Sequence, residues 1–194
     1  MSYMTHTIMK IPSIIEIEAT KMKSSLLITS LLLGLSINAF AESAKNLKVE
    51  ENVVINASAS KVWEKVSNFG DLGAWHPAVK KTEIVAGTNN TKGAERLLTL
   101  QDNGTIKEKL LSYNPKKMVF GYSILEGVLP VSHYTSTVTI KSQGADKTLV
   151  VWKGSFKRKD TGANPAAGQS DDDAVKTIIG VYRGGLDNLK KISE

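Results

Sequence analysis

From residue 47 onward, apolar and polar side chains alternate along the chain at two distinct periods. The stretch LKVEENVVI (47–55) alternates as a half-buried strand does. SASKVWEKVSNF (58–69) changes to helical spacing, with Ser58 in N-cap position and Val62, Trp63 and Val66 on one face. Five segments then return to period two, at residues 79–86, 94–100, 105–113, 118–125 and 131–142, each closed by Gly, Asn or Pro, and a last strand covers 148–156. From about Asp172 the period is helical again. Val175, Ile178, Ile179, Tyr182, Leu186, Leu189 and Ile192 fall on one face, and Lys176, Arg183, Asp187 and Lys190 on the other. The aspartates at its start suit the positive end of the helix dipole. Strands followed by one long helix define an α+β domain in which an antiparallel sheet curls around that helix. Gly185 inside the apolar stripe is costly for a helix, and two readings account for it: space kept for a cavity, or close packing against a strand.

Register decides which side chains meet inside. In AERLLTLQDNGTIKEKLL (94–111), a two-residue Asn103-Gly104 loop would mix apolar and charged positions on one face. A three-residue loop, 102–104 with Gly104 left-handed, pairs Leu100 with Ile106, Leu98 with Glu108 and Arg96 with Leu110, and is the expected register. It gathers Leu98, Leu100, Ile106 and Leu110 on the inner face and sets Arg96 diagonal to Glu108. Burying a charge costs several kcal/mol unless it is paired or solvated, so Arg96 and Glu108 form a structural ion pair or line a wet pocket. The same alternation turns Phe120, Tyr122 and Ile124, then Tyr134, Ser136 and Val138, then Val150, Trp152 and Phe156 inward, facing Ile178 and Tyr182 of the helix. Hydroxyls and an indole N–H among apolar rings make up either a small-molecule pocket or a core whose tyrosines reach the surface with their hydroxyls. His133, of opposite parity to Tyr134, belongs near the mouth of the sheet or outside it.

The N-terminal segment reads differently. Met22-Lys23 precedes an apolar run at 26–35 and then NAFAES, with Ala39 and Ala41 at small-residue cleavage spacing. This is a secretory signal peptide, with Met22 the expected start and cleavage expected after Ala41. Residues 1–41 are therefore a leader, and residues 42–194 a single domain that is periplasmic or secreted and does not span the membrane once cleaved. The sequence has no cysteine, which excludes disulfides, thiolate catalysis and Cys-ligated metal. The net charge of +6 fits an acidic partner or anionic headgroups, and equally a surface of scattered lysines. No phosphate-cradling glycine loop, ligand-spaced histidine pair or stripe of lysines and aromatics occurs, so no cofactor, metal or nucleic acid is expected. The loop KRKDTGANPAAGQSDDD (157–173) reads as a lid or connector inside the domain.

The order strand, helix pair, six strands and long C-terminal helix, with the stretches SASKVWEKVSNFGDLGAWHPAV, GAERLLTLQDNGTIKEKL, YSILEGVLPVSHYTSTVTI and IIGVYRGGLDNLK, resembles the START-like helix-grip superfamily. Its bacterial members include the SRPBCC group of polyketide cyclase/dehydrase and lipid-transport proteins, and the resemblance lies nearest the MxaD-type periplasmic proteins. It implies a seven-stranded sheet gripping the last helix around a cavity for a small hydrophobic molecule. It also implies gate-like loops at 102–104 and 126–131, and Glu108 and Tyr134 among the cavity-lining residues. The MxaD-type likeness implies an accessory role toward a periplasmic oxidoreductase such as methanol dehydrogenase, with a dehydrogenase or cytochrome as partner. The cyclase relatives imply the alternative, a polyketide cyclase- or dehydratase-like enzyme acting in the cavity.

Within that frame, Gly70 and Gly73 break helix and Pro77 stops it, so residues 69–77 read as the end of the first helix and a short second one near the cavity entrance. Trp75 packs under the final helix or over the pocket. The candidate ligand-binding set is Trp75, Arg96, Leu98, Glu108, Phe120, Tyr122, Tyr134, Ser136, Trp152, Ile178 and Tyr182. His76 and Glu108 are the candidate general bases, with Arg96 able to stabilise negative charge. No Ser, Cys or second His stands at motif spacing to complete a catalytic triad.

Overall fold

Each alternating segment becomes a strand, and the strands assemble in one sheet. In the computed structural model, which describes residues 44–194, they are β1 (Leu47–Ile55), β2 (Val79–Ala86), β3 (Glu95–Leu100), β4 (Thr105–Asn114), β5 (Val119–Gly127), β6 (Val131–Ser142) and β7 (Thr148–Arg158). The leader and its expected cleavage site lie outside the described residues. All neighbouring strands are antiparallel, in the order β1-β7-β6-β5-β4-β3-β2. The first strand thus closes onto the last, and α1 (Ala59–Val66) carries the chain across to the far edge, where β2 begins. The helix α2 (Asp171–Ser193) lies on the sheet's inner face. This is the helix-grip arrangement expected from the sequence.

Local chemistry sets the helix ends. The Ser58 hydroxyl accepts the Lys61 N–H at the start of α1. Ser170 and Asp173 form a reciprocal capping box on α2, whose first turn carries three aspartates. The expected second short helix is a single 3-10 turn, Leu72–Ala74, because Gly70, Gly73 and Pro77 leave no room for more. Strand β7 runs on to Arg158, which is buried. Its guanidinium donates to the carbonyls of Asp160 and Gly162 and pairs with Asp171 at 3.0 Å. Asp160 in turn accepts the N–H groups of Gly162 and Ala166, so the base of the loop at 157–173 is fastened by hydrogen bonds.

Two expectations need correcting. The β3–β4 loop does have three residues, but they are 101–103: the Leu100 N–H donates to Gly104 O at 2.8 Å. The left-handed residue is Asn103, with φ of 66°, and not Gly104. Asn tolerates this conformation, while the Asp102 carboxylate holds the Gly104 N–H at 2.9 Å. Arg96 therefore stands directly opposite Glu108, and Leu98 opposite Ile106. Gly104 serves a different need, since a Cβ there would press on Val128 of the β5–β6 connection at 3.0 Å. The second correction concerns α2. Ala174, Ile178, Tyr182, Gly185, Leu186, Leu189 and Ser193 are its buried positions, and Ile192 is 38% exposed. The stripe follows the concave sheet by steps of three and four residues and passes Ile192 by.

Gly185 is explained by close packing. A Cβ at this position would lie 2.7 Å from the His76 ring, 2.8 Å from Trp152 and 3.1 Å from Trp75. Its missing side chain lets three rings meet the helix backbone. Overpacking a rigid aromatic contact costs about 1–3 kcal/mol, whereas Ala in place of Gly returns about 1 kcal/mol of helix propensity. Gly185→Ala is therefore expected to lower the urea midpoint. A raised midpoint would mean that helix propensity outweighs the contact.

Candidate ligand cavity

Arg96 is the best-anchored polar group of the interior. It is 2% exposed and Glu108 is 4% exposed. Its Nε and Nη2 both reach Glu108 Oε2 at 2.6 Å, and Nη1 donates to the Phe69 carbonyl at 2.7 Å. The guanidinium also lies 4.0 Å from the centre of the Phe69 ring, a cation–π contact. Phe69 is itself held, its N–H donating to Asn90 at 2.8 Å. Arg96 thus ties β3 and β4 to the connection that follows α1. Burial pushes the Glu108 carboxyl above the usual carboxylate range, and the pull of Arg96 only partly opposes it. Both contacts from Arg96 fall on Oε2, so Oε1 remains as an acceptor for whatever occupies the cavity that Glu108 lines.

His76 is clamped to α2. Its Nε2 lies 3.0 Å from the Val181 carbonyl, which can only accept, so Nε2 carries the proton. Nδ1 accepts the Ala78 N–H at 3.3 Å. Burial, more than the nearby positive charge of Arg96, lowers its pKa. Asn188 of α2 adds a bond to the Trp75 carbonyl at 2.9 Å. In this arrangement both nitrogens are engaged and neither offers a lone pair to a substrate proton. Trp75 packs in the core, its ring 5.4 Å from that of Trp152.

A second polar group closes the middle of the sheet. Tyr134 and Tyr182 hydroxyls lie 2.6 Å apart, and the Tyr182 hydroxyl is 3.0 Å from Ser136 Oγ. Ser136 donates to the Lys153 carbonyl and accepts the Trp152 indole N–H at 2.9 Å, and that N–H also lies 3.2 Å from the Tyr122 hydroxyl. Tyr182 stacks on Trp152 with ring centres 4.4 Å apart and planes 14° apart. Gly154 makes this possible, because a Cβ there would collide with the Tyr182 hydroxyl. Burial pushes all three tyrosine pKa values up, that of Tyr182 to about 12, so the network is neutral.

Between this floor and α2 lies a cavity of about 70 Å³. Of the expected residues, Leu98, Glu108, Tyr122, Tyr134, Trp152 and Ile178 line it, as does His76. Arg96 lies behind Glu108, and Trp75, Phe120, Ser136 and Tyr182 pack in the layer around the lining. Leu100, Ile106 and Ile124, expected to face inward, line it too; Leu72, Ala78, Val79, Leu129 and Val181 complete the wall and were not singled out by sequence. Leu72, Ala78, Val79 and Leu129 belong to connections or strand ends, where period-two alternation carries no signal. Val181 is a helix residue outside the seven-residue stripe. His133 is exposed, with φ of 51°, at a break of register in β6.

Over residues 46–194 the chain matches the family of polyketide cyclase/dehydrase and lipid transport proteins, and it belongs to that family. Solved structures of similar sequence share the fold. The protein XoxI from Bacillus cereus is 28% identical, with a TM-score of 0.64 over 75% of this chain and 94% of its own. A protein from Nitrosospira multiformis is 27% identical, with a TM-score of 0.63 over 76% of this chain and 97% of its own. The Zhui aromatase/cyclase from Streptomyces sp. R1128, at 20% identity, is similar in fold, with a TM-score of 0.61 over 77% of this chain and 94% of its own. No curated protein sequence matches the chain. Family and fold together suggest a protein that binds a hydrophobic ligand. Among the described residues no helix is long and apolar enough to cross a membrane, and no cluster of side chains is fit to hold a metal ion.

Two outcomes follow from the buried charges. Arg96→Met strands a carboxyl in the interior and is expected to cost about 3–5 kcal/mol in urea denaturation. Adding Glu108→Leu should restore most of that loss, and a single variant costing under about 1 kcal/mol would refute the pairing. His76, whose pKa burial holds below that of a free imidazole, takes up a proton more readily when unfolded. Its contribution to stability is complete above about pH 6.5 and is lost as pH falls toward the folded pKa. Ring ¹⁵N shifts at pH 6.5 should show a neutral Nε2–H tautomer, and a protonated ring would contradict the geometry.

Proposed function

We propose that the protein is an exported binding protein for a small hydrophobic molecule held between α2 and the sheet. The observation that carries this reading is the chemistry of the cavity wall. It is apolar except for a few converging polar groups, chief among them the spare Glu108 oxygen and the Tyr122 and Tyr134 hydroxyls. Such a wall favours an apolar body bearing one hydroxyl. The present volume of about 70 Å³ is below the roughly 150 Å³ that accommodates benzene, so a ring-sized ligand must displace part of the wall. Leu100, the last residue of β3, and Leu129, in the β5–β6 connection, are half-buried parts of that wall.

The export-type leader supports a periplasmic setting. The basic balance of the chain fits an acidic partner there, in keeping with an MxaD-like accessory role toward an oxidoreductase such as methanol dehydrogenase. A cyclase- or dehydratase-like reaction is the second reading. It is favoured by the raised pKa of Glu108, which would make that residue the acid, since both His76 nitrogens are engaged.

Titration with p-cresol and toluene, followed by ¹H–¹⁵N NMR, tests the first reading. Both are expected to shift the Trp152 indole N–H, with p-cresol binding roughly tenfold tighter through its hydroxyl, a preference that Glu108→Gln reduces. If neither compound perturbs Trp152, the cavity is core and the reading fails.

A further inference from the structure

A second pocket of about 250 Å³ lies outside the sheet's mouth, at the β5–β6 hairpin. Ile124, Leu129 and Tyr134 line both this pocket and the inner cavity, so the two spaces share a wall at these side chains. The outer pocket differs from the inner one in its polar groups, Lys159, His133, Ser132 and Glu126.

Lys159 is exposed, yet its ammonium is fixed in place. Its Nζ donates to the Gly127 carbonyl at 2.7 Å, and its backbone N–H to the Pro130 carbonyl at 3.0 Å. The neighbouring Arg158 is buried and fastened on three sides. A cation on such a base does not pay the full entropy of ordering a lysine when an anion arrives. His133 is held over the same pocket by an unusual backbone. It is left-handed at φ of 51°, within a register break spanning Ser132 to Thr135, and breaks of this kind re-aim side chains. Its Nδ1 lies 3.4 Å from Ser132 Oγ, which is itself fixed on the Arg158 carbonyl at 3.0 Å. The one carboxylate among these lining residues, Glu126, feels Lys107 only weakly, since that ammonium pairs with Glu95 at 3.0 Å.

We propose that the outer pocket takes the carboxylate end of an amphipathic ligand whose apolar part passes Ile124 and Leu129 into the inner cavity. This deepens, and rests on, the hydrophobic-ligand reading. It makes the ligand a carboxylic acid with an apolar chain or ring, its charge kept at the surface beside Lys159 and its body desolvated within.

Octanoate and 1-octanol, which differ only at the head, form the test, with binding followed by isothermal titration calorimetry and by the Trp152 indole N–H. Octanoate is expected to bind the wild type at least tenfold tighter than octanol. Lys159→Met should remove most of that preference, and His133→Ala should reduce it by a smaller factor. Equal binding of the two probes, or an undiminished octanoate preference in Lys159→Met, overturns the proposal. If neither eight-carbon probe binds while p-cresol still shifts Trp152, the outer site falls and the inner cavity stands. If p-cresol is silent as well, both fall.

Discussion

The fold depends on how closely α2 can settle on β7. Trp152 is the contact surface, and the helix meets it twice. Tyr182 lies flat on the indole, and one turn later Gly185 exposes bare backbone to Trp75, His76 and the edge of Trp152. Gly154 clears the sheet side for the Tyr182 hydroxyl. Two glycines on opposing elements therefore set a single distance between helix and sheet. That distance fixes the volume left over, and with it what the protein can hold. The buried α2 side chains Ile178, Tyr182, Leu186 and Leu189 each contribute about 1.5–3 kcal/mol by leaving water, and they do so only at this spacing.

So close a seat brings polar groups into a dry interior, and the structure meets the resulting cost group by group. The Trp152 N–H, Ser136 and three tyrosine hydroxyls satisfy one another in a neutral network. His76 uses a helix carbonyl whose neighbouring residue one turn on is Gly185, so the glycine that admits the ring also admits its hydrogen bond. Arg96 spends three donors on Glu108 and Phe69. Glu108 alone keeps an oxygen in reserve on the cavity wall. A binding site of this kind is preorganised: the floor is rigid and satisfied.

Much of this was legible in the sequence, for identifiable reasons. Strands β1, β2 and β6 were bounded correctly because alternation is strict there and turn residues close each run. The inward set on β5, β6 and β7 followed from parity alone. The β3–β4 register slipped by two residues because Asn103 and Gly104 can both adopt the left-handed conformation. Gly104 is needed instead for the approach of Val128 from a different hairpin, a contact that local sequence does not encode. Parity was unaffected, so Arg96 and Glu108 were on the right face, but facing each other directly instead of diagonally. The layering of the site was invisible for a similar reason. Alternation puts Phe120, Ser136 and Tyr182 inside, but only the packed rings reveal that they lie behind the cavity lining. Gly185 admitted two readings because a glycine's purpose lies in what approaches it, and here three rings do.

Native mass spectrometry of the protein isolated from its native cells is the most direct measurement of whether the gripped space is a binding site. A single organic adduct per chain, released on unfolding and partitioning into an apolar solvent, is the expected result. A bare chain under the gentlest conditions, together with a cavity occupied only by water in a crystal of the same preparation, would contradict a carrier role and leave the interior as core.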